Sequence, residues 1–215
     1  MKNNRDDYIL QSSEKDFFNA LRNSKIIQSA EAFYRKMIYR DERSWNARAQ
    51  NFKNTAVELV EFYDGAGLIG WAHNTHMGDA RYTDMRAQNR KNIGQMLKEN
   101  YSEDVHILGF GTYRGKVAAG RQWGTDIEIM TVPPSPANTL EHAMYGVSEN
   151  EEALFIMDHI KNYDVTHQPL EHRAIGVVYN PETEYPGNYV QTILPGRYDS
   201  FIFIPESESV RPLVF

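Results

Sequence analysis

The sequence contains no cysteine. That removes disulfides, thiolate nucleophiles and sulfur-built zinc sites from consideration at the outset. No stretch approaches the ~20 apolar residues of a membrane-spanning helix. The N-terminal "MKNNRDDYILQSSEKDFF" lacks the apolar core of a signal peptide, so the expectation is a soluble, cytoplasmic protein. No GxSxG nucleophile elbow is present, which disfavours an ordinary serine hydrolase. The stretch "GFGTYRG" is neither GxGxxG nor a P-loop, and no Lys-Ser or Lys-Thr pair follows it, so a nucleotide site has little support. Positive charge is also scarce: 23 Lys and Arg stand against 29 Asp and Glu, a formal net charge of −6. That balance argues against a broad nucleic-acid-binding surface.

What is there suffices for one sizeable core or at most two small ones, with 215 residues of which 41% are apolar. From Glu14 to Arg40 the pattern is helical, with Phe17 and Leu21, then Ile26, Ala30, Phe33 and Met37, on one face. A second helix is expected from Ser44 as N-cap, burying Phe52, Ala56, Leu59 and Tyr63 and ending at Asp64-Gly65. Short apolar runs then alternate with helical segments. Strands are expected near Leu68–Ala72, Val105–Phe110, Ile127–Val132, Ala174–Tyr179 and Phe201–Ile204. Helices are expected over "NIGQMLKENY", "NTLEHAMYGV" and "EEALFIMDHI". The charged run "SENEE" reads as a solvated helix start, and Trp45, Trp71 and Trp123 as core or site walls. This alternation predicts an α/β fold, a mostly parallel sheet flanked by helices. A helical segment over 1–43 would precede an α/β domain over 44–215. The Pro-rich "TVPPSPAN" reads as a strand-to-helix loop.

Polar chemistry concentrates in "GWAHNTHMGDAR", residues 70–81. In open α/β sheets ligands sit beyond the carboxyl ends of strands, and His73 and His76 fall directly after "LIGWA". "GFGTYRG" is expected to follow the next strand as a loop. Its glycines would let the backbone approach a ligand, with Thr112 and Arg114 as donors. "PPSPANTLEH" and "NPETEYPGNY" would complete four loops at one edge. Histidine is the side chain able to exchange a proton near neutrality without a large shift. Asp79 and Asp84 are placed to orient an imidazole, and Arg81, Arg86 or Arg114 to stabilise an oxyanion. The plainer reading is that the histidines satisfy a tight turn. An HxxH pair with no evident third ligand is a poor metal site.

The segment "GWAHNTHMGDAR" resembles the signature of the erythromycin esterase-like family, apolar residues followed by W-A-H-N-x-H and a glycine. The likeness continues in order through "SWNARAQNF", "NIGQMLKENY", "GFGTYRGKVAAGRQWG", "EHRAIGVVYNPETE", "GNYV" and "LPGRYDSFIFI", covering Ser44 to Leu213. The resemblance implies hydrolysis of a cyclic carboxylic ester, as in macrolide lactones. Water would be the nucleophile, activated by histidine, without an obligatory metal or other cofactor. His73 and His76 match the two histidines of the family's HNxH motif and are the candidate catalytic residues. Arg48, Asn74, Thr112 and Arg114 are the candidate substrate-binding residues, Arg48 matching an arginine in the preceding helix, with Ala49 where relatives often carry an acid.

One departure bears on function. Family members are usually much longer and carry their general-base histidine in an N-terminal G-E-x-x-H-G motif, whereas this sequence contains no Gly-Glu pair. The chain resembles the C-terminal portion of such an enzyme, inactive or weakly active alone and completed by an N-terminal partner chain or associating as a homo-oligomer. The competing reading is a ligand-binding module that kept the fold and lost the chemistry. A metal- or haem-binding protein is a third.

Overall fold

The structure, a computed structural model, describes residues 4–211. In chain order it contains α1 (Arg5–Gln11), α2 (Glu14–Met37), α3 (Glu42–Phe62), α4 (Asn74–Met77), α5 (Ile93–Tyr101), β1 (Leu108–Gly120) and β2 (Ile127–Val132). There follow α6 (Leu140–Val147), β3 (Ala153–Ile156), α7 (Met157–Ile160), β4 (Leu170–Arg173), α8 (Glu184–Gly187), β5 (Tyr189–Thr192), α9 (Leu194–Arg197) and β6 (Ser200–Ser207). The main sheet has the order β2-β1-β6-β3, and β4 and β5 form a separate ribbon. This is the α/β architecture expected, a central sheet flanked by helices.

The strand directions differ from expectation. Among the described strands only β1 and β6 run parallel, with Leu108 opposite Ser200; β1–β2, β3–β6 and β4–β5 are antiparallel. Connection length explains the first of these. Only residues 121–126 separate β1 from β2, too few for the crossover that a parallel neighbour requires. β1 also continues through "GTYRGKVAAG", so "GFGTYRG" is strand and not loop.

Two expected strands are absent. Residues 68–72 pair with no strand among the described residues, and Ile69 and Trp71 are 92% and 83% exposed. An apolar run without polar alternation does fit a strand buried on both faces, but a ladder also needs a neighbour. Residues 174–179 form no strand; they pair with the sheet at one isolated bridge, Gly120 to Val178, and pack Tyr179 against Ala119, Met130 and Val132. Likewise "EEALFIMDHI" forms β3 and one helical turn. "SENEE" closes α6 through left-handed Glu149 and Asn150 and does not start a helix.

The core lies between the sheet and α6. Phe201 and Phe203, both 0% exposed, alternate along β6 and pack with Ile107, Leu140, Met144, Met157, Leu194 and Tyr198. The glycines of β1 serve this packing. A Cβ on Gly109 or Gly111 would fall 2.7 Å from the Phe201 ring, and on Gly109 equally close to Tyr198. They admit aromatic rings, so the expected role in ligand approach is not what the sheet uses them for.

The helical hairpin is built around a buried cation. Ser13 caps α2 and Asp41, not Ser44, caps α3. Arg22, 6% exposed, bonds Glu58 and Thr55 of α3, Lys25 reaches Glu58 at 2.8 Å, and Phe18 stacks on Phe62. Burial alone would raise the Glu58 carboxyl, but the bonds from Lys25 and Arg22 outweigh it and hold it below the usual range. The expected buried faces are partly open. Ile26, Met37, Phe52 and Tyr63 are exposed, whereas Phe17 is buried.

Candidate active site

His73 ends the extended run and caps the short helix α4. The Thr75 backbone N–H can only donate, so His73 Nδ1, 3.2 Å away, is the acceptor. The Thr75 hydroxyl bonds the same nitrogen. The ring proton is therefore on Nε2, which donates to the Ile175 carbonyl at 2.9 Å. Both nitrogens are engaged, and the ring ties the turn to the segment after β4. Desolvation by surrounding atoms lowers the His73 pKa although its outer face is open to water, and His172 and Arg197 add to the effect.

His76 is held differently. A guanidinium has no acceptor, so at 3.4 Å from Arg48 Nη2 the His76 Nε2 must carry the lone pair. The proton is on Nδ1, which has no protein partner among the described residues. The ring stacks on Trp45 at 5.1 Å, and Arg48 lies over the same indole. Trp45 is thus a site wall, anchored by its N–H to the Lys91 carbonyl at 2.8 Å. Trp71 and Trp123 are exposed. The His76 pKa is lowered, by desolvation first and then by the Arg48 charge. The imidazole is neutral near neutrality, with an N–H available beside a cation.

Asn74 is not free to bind a ligand. Its carboxamide nitrogen donates to the Phe110 carbonyl at 2.5 Å and its oxygen accepts from the Phe110 N–H at 3.2 Å. The side chain thus occupies the open edge of β1 as a strand would. From the other side Asn92, 1% exposed, donates to the carbonyls of Thr75 and Gly78 and caps α5. Beneath lies Arg197, 1% exposed, bonded to Thr192 and at 3.5 Å from the Asn74 carbonyl.

Of the expected site residues, the fold gathers His73, His76, Asn74 and Arg48. Thr112 and Arg114 are not part of that group. The Thr112 hydroxyl donates to the Arg114 carbonyl, and Arg114 pairs with Glu206 on the surface at 2.9 Å. Asp79 is 2% exposed and engaged by Arg81, so it orients no imidazole. Asp84 and Arg86 lie on the turn Asp84–Gln88 and bond neither histidine. The loops "PPSPAN" and "NPETEYPGNY" meet each other through Ser135–Tyr189 and Asn138–Tyr185.

The residues that sequence reasoning missed are the buried polar ones. Arg173 donates to Glu184 at 2.6 Å and to the carbonyls of Thr112, Tyr113 and Pro133. Glu141 and His172 are each 0% exposed. The one sequence signal was "EHR" standing directly before an apolar run. Among the described residues no three His, Asp or Glu side chains converge as a metal site, and no helix is long and apolar enough to cross a membrane.

Comparison with solved structures places the fold. A Bacillus cereus protein superposes with a TM-score of 0.78 at 15% identity, covering 96% of this chain and 49% of that one. A succinoglycan biosynthesis protein gives 0.63 at 18% identity, over 78% and 40%. A mutant of the erythromycin esterase EreC in its open conformation gives 0.53 at 15% identity, over 75% and 37%. The chain therefore spans about half or less of the length of these structures. The family model described as erythromycin esterase matches residues 1–207, so the chain belongs to the erythromycin esterase family.

Proposed function

We propose that this chain carries the HNTH part of a carboxylic-ester hydrolase, one that opens a lactone or simple ester with water. The observation that carries the reading is the pairing of His76 with Arg48, a neutral imidazole with an unpartnered N–H next to a guanidinium. In this scheme water adds to the ester carbonyl carbon. The oxyanion that develops is met by the His76 Nδ1–H and the Arg48 charge, and the carbon–oxygen bond to the leaving alkoxide then breaks as the alkoxide takes up the proton removed from water. His73, with both nitrogens committed, holds the turn. Asn74 is a structural anchor in the same way, and Thr112 and Arg114 take no part.

The base that removes the proton from water is assigned to a polypeptide carrying the G-E-x-x-H-G motif, because no such motif is present here. Among the described residues His73 and His76 bond only Thr75, Ile175 and Arg48, which is also what favours the second reading, a ligand-binding module without turnover. Hydrolysis of a macrolide lactone and of a simple aryl ester, by this chain alone and with such a partner polypeptide, tests both. Turnover that appears only in the mixture and falls with His76→Ala supports the enzyme. Lactone binding by calorimetry with no turnover in either arm supports the module.

A further inference from the structure

Below the HNTH turn lie two titratable groups that the proposed chemistry does not use. His172 on β4 and Glu141 on α6 are both completely buried. The direction of every proton between them and the turn follows from one backbone group. The Phe110 N–H can only donate, so the Asn74 atom it meets is the carboxamide oxygen. The carboxamide nitrogen then faces the Phe110 carbonyl and, at 3.3 Å, His172 Nε2, one hydrogen for each. A donor aimed at Nε2 makes that nitrogen the acceptor, and the Tyr198 hydroxyl at 3.1 Å is a second donor to it. The His172 proton therefore sits on Nδ1 and is given to Glu141 Oε1 at 2.5 Å. The Arg173 backbone N–H holds the same carboxylate oxygen at 2.9 Å.

We propose that Glu141 and His172 are positioning residues for the HNTH turn. The carboxylate sets the tautomer of the imidazole, and the imidazole sets the orientation of Asn74, which seats His73 and His76 against β1. Packing alone does not account for the pair. The second Glu141 oxygen is buried without a partner, a cost that an apolar side chain filling the same space would avoid. The proposal rests on reading HNTH as the reactive segment, but its test needs no turnover, so the two fail separately.

The test is nitrogen-detected NMR of the histidine side chains in the wild-type chain. His172 is expected as the Nδ1–H tautomer at neutral pH. His73 is expected as the opposite tautomer. An Nε2–H form of His172 would overturn the proposal. The variant His172→Asn keeps a side-chain N–H for Glu141 and removes the acceptor for Asn74. Its Asn74 amide protons should exchange about fivefold faster, the factor that one hydrogen bond is worth, and the His73 and His76 signals should move. A folded His172→Asn protein with all of these unchanged would overturn it as well. Should that variant not fold, Tyr198→Phe decides: it leaves Asn74 the only donor to Nε2, so slower or equal exchange supports the proposal and faster exchange refutes it.

Discussion

Replacing His73 by asparagine and by alanine separates the roles of its two ring nitrogens, Nδ1 on Thr75 and Nε2 on Ile175. The cap on the Thr75 N–H is worth about 1 kcal/mol by the usual cost of an N-cap removed to alanine. The bond from Nε2 to the Ile175 carbonyl, at 2.9 Å, contributes about 1 kcal/mol net, towards the lower end because the outer face of the ring is solvated. His73→Ala loses both, about 2 kcal/mol in all. His73→Asn keeps a capping oxygen and loses only the reach to Ile175, about 1 kcal/mol. His76→Ala removes a stack on Trp45 and a long contact to Arg48, worth ~0.5–1 kcal/mol. Urea unfolding followed by circular dichroism reads these as shifts in midpoint at constant slope. Equal losses for the asparagine and alanine variants would refute the cap, and a loss below ~0.5 kcal/mol for His73→Ala would refute both bonds.

The remaining predictions concern the neighbours of the turn and its charge states. A Cβ on Gly94 would sit 1.7 Å from the Met77 carbonyl oxygen, so Gly94→Ala must displace α5 from α4, at ~1–3 kcal/mol; unchanged unfolding would contradict the packing. Arg48→Ala removes a charge that lowers the His76 pKa, so the NMR titration midpoint of His76 should rise, and a fall would contradict the assigned contact. Desolvation, foremost, lowers His73, His76 and His172 in the folded state. The unfolded chain then takes up protons that the folded protein refuses, so this contribution is complete above about pH 6.5 and lost as pH falls through the lower folded values; His172→Asn should flatten that slope. Glu58 is also held low, so its contribution is present above the ordinary carboxylate range and lost at more acid pH, a loss that Glu58→Gln should abolish.

Four of the expected helices were legible because period and caps are local, whereas "EEALFIMDHI" forms β3 and one helical turn. The hairpin of α2 and α3, α5 behind Asn92 and α6 behind Thr139 all form close to where their patterns begin. Strand pairing is not local, and that is where the reading departed. The run at 68–72 has the composition of a buried strand, yet its pairing depends on atoms distant in sequence. β1 outran its apolar segment because the "TYRGKVAAG" stretch pairs with β2 and β6. His73, His76, Asn74 and Arg48 were legible through one motif and a helix position. The tautomers and the commitment of Asn74 to Phe110 were not, because they depend on donors from β1 and the segment after β4. Glu141, His172 and Arg173 left no periodic signal, being polar groups inside the core that bond residues tens of positions away.

The division of labour within the HNTH turn is tested most directly by comparing kcat/KM for ester hydrolysis, in the presence of the G-E-x-x-H-G polypeptide, between His76→Asn and His73→Asn. A group that assists proton transfer or stabilises the developing charge contributes about 10²-fold or more, so His76→Asn should lose at least that factor. His73→Asn, which keeps the cap, should stay within about tenfold of the wild type, since each 1.4 kcal/mol is a factor of ten. The reverse order, with His73→Asn inactive in a folded protein and His76→Asn near wild type, would contradict the account.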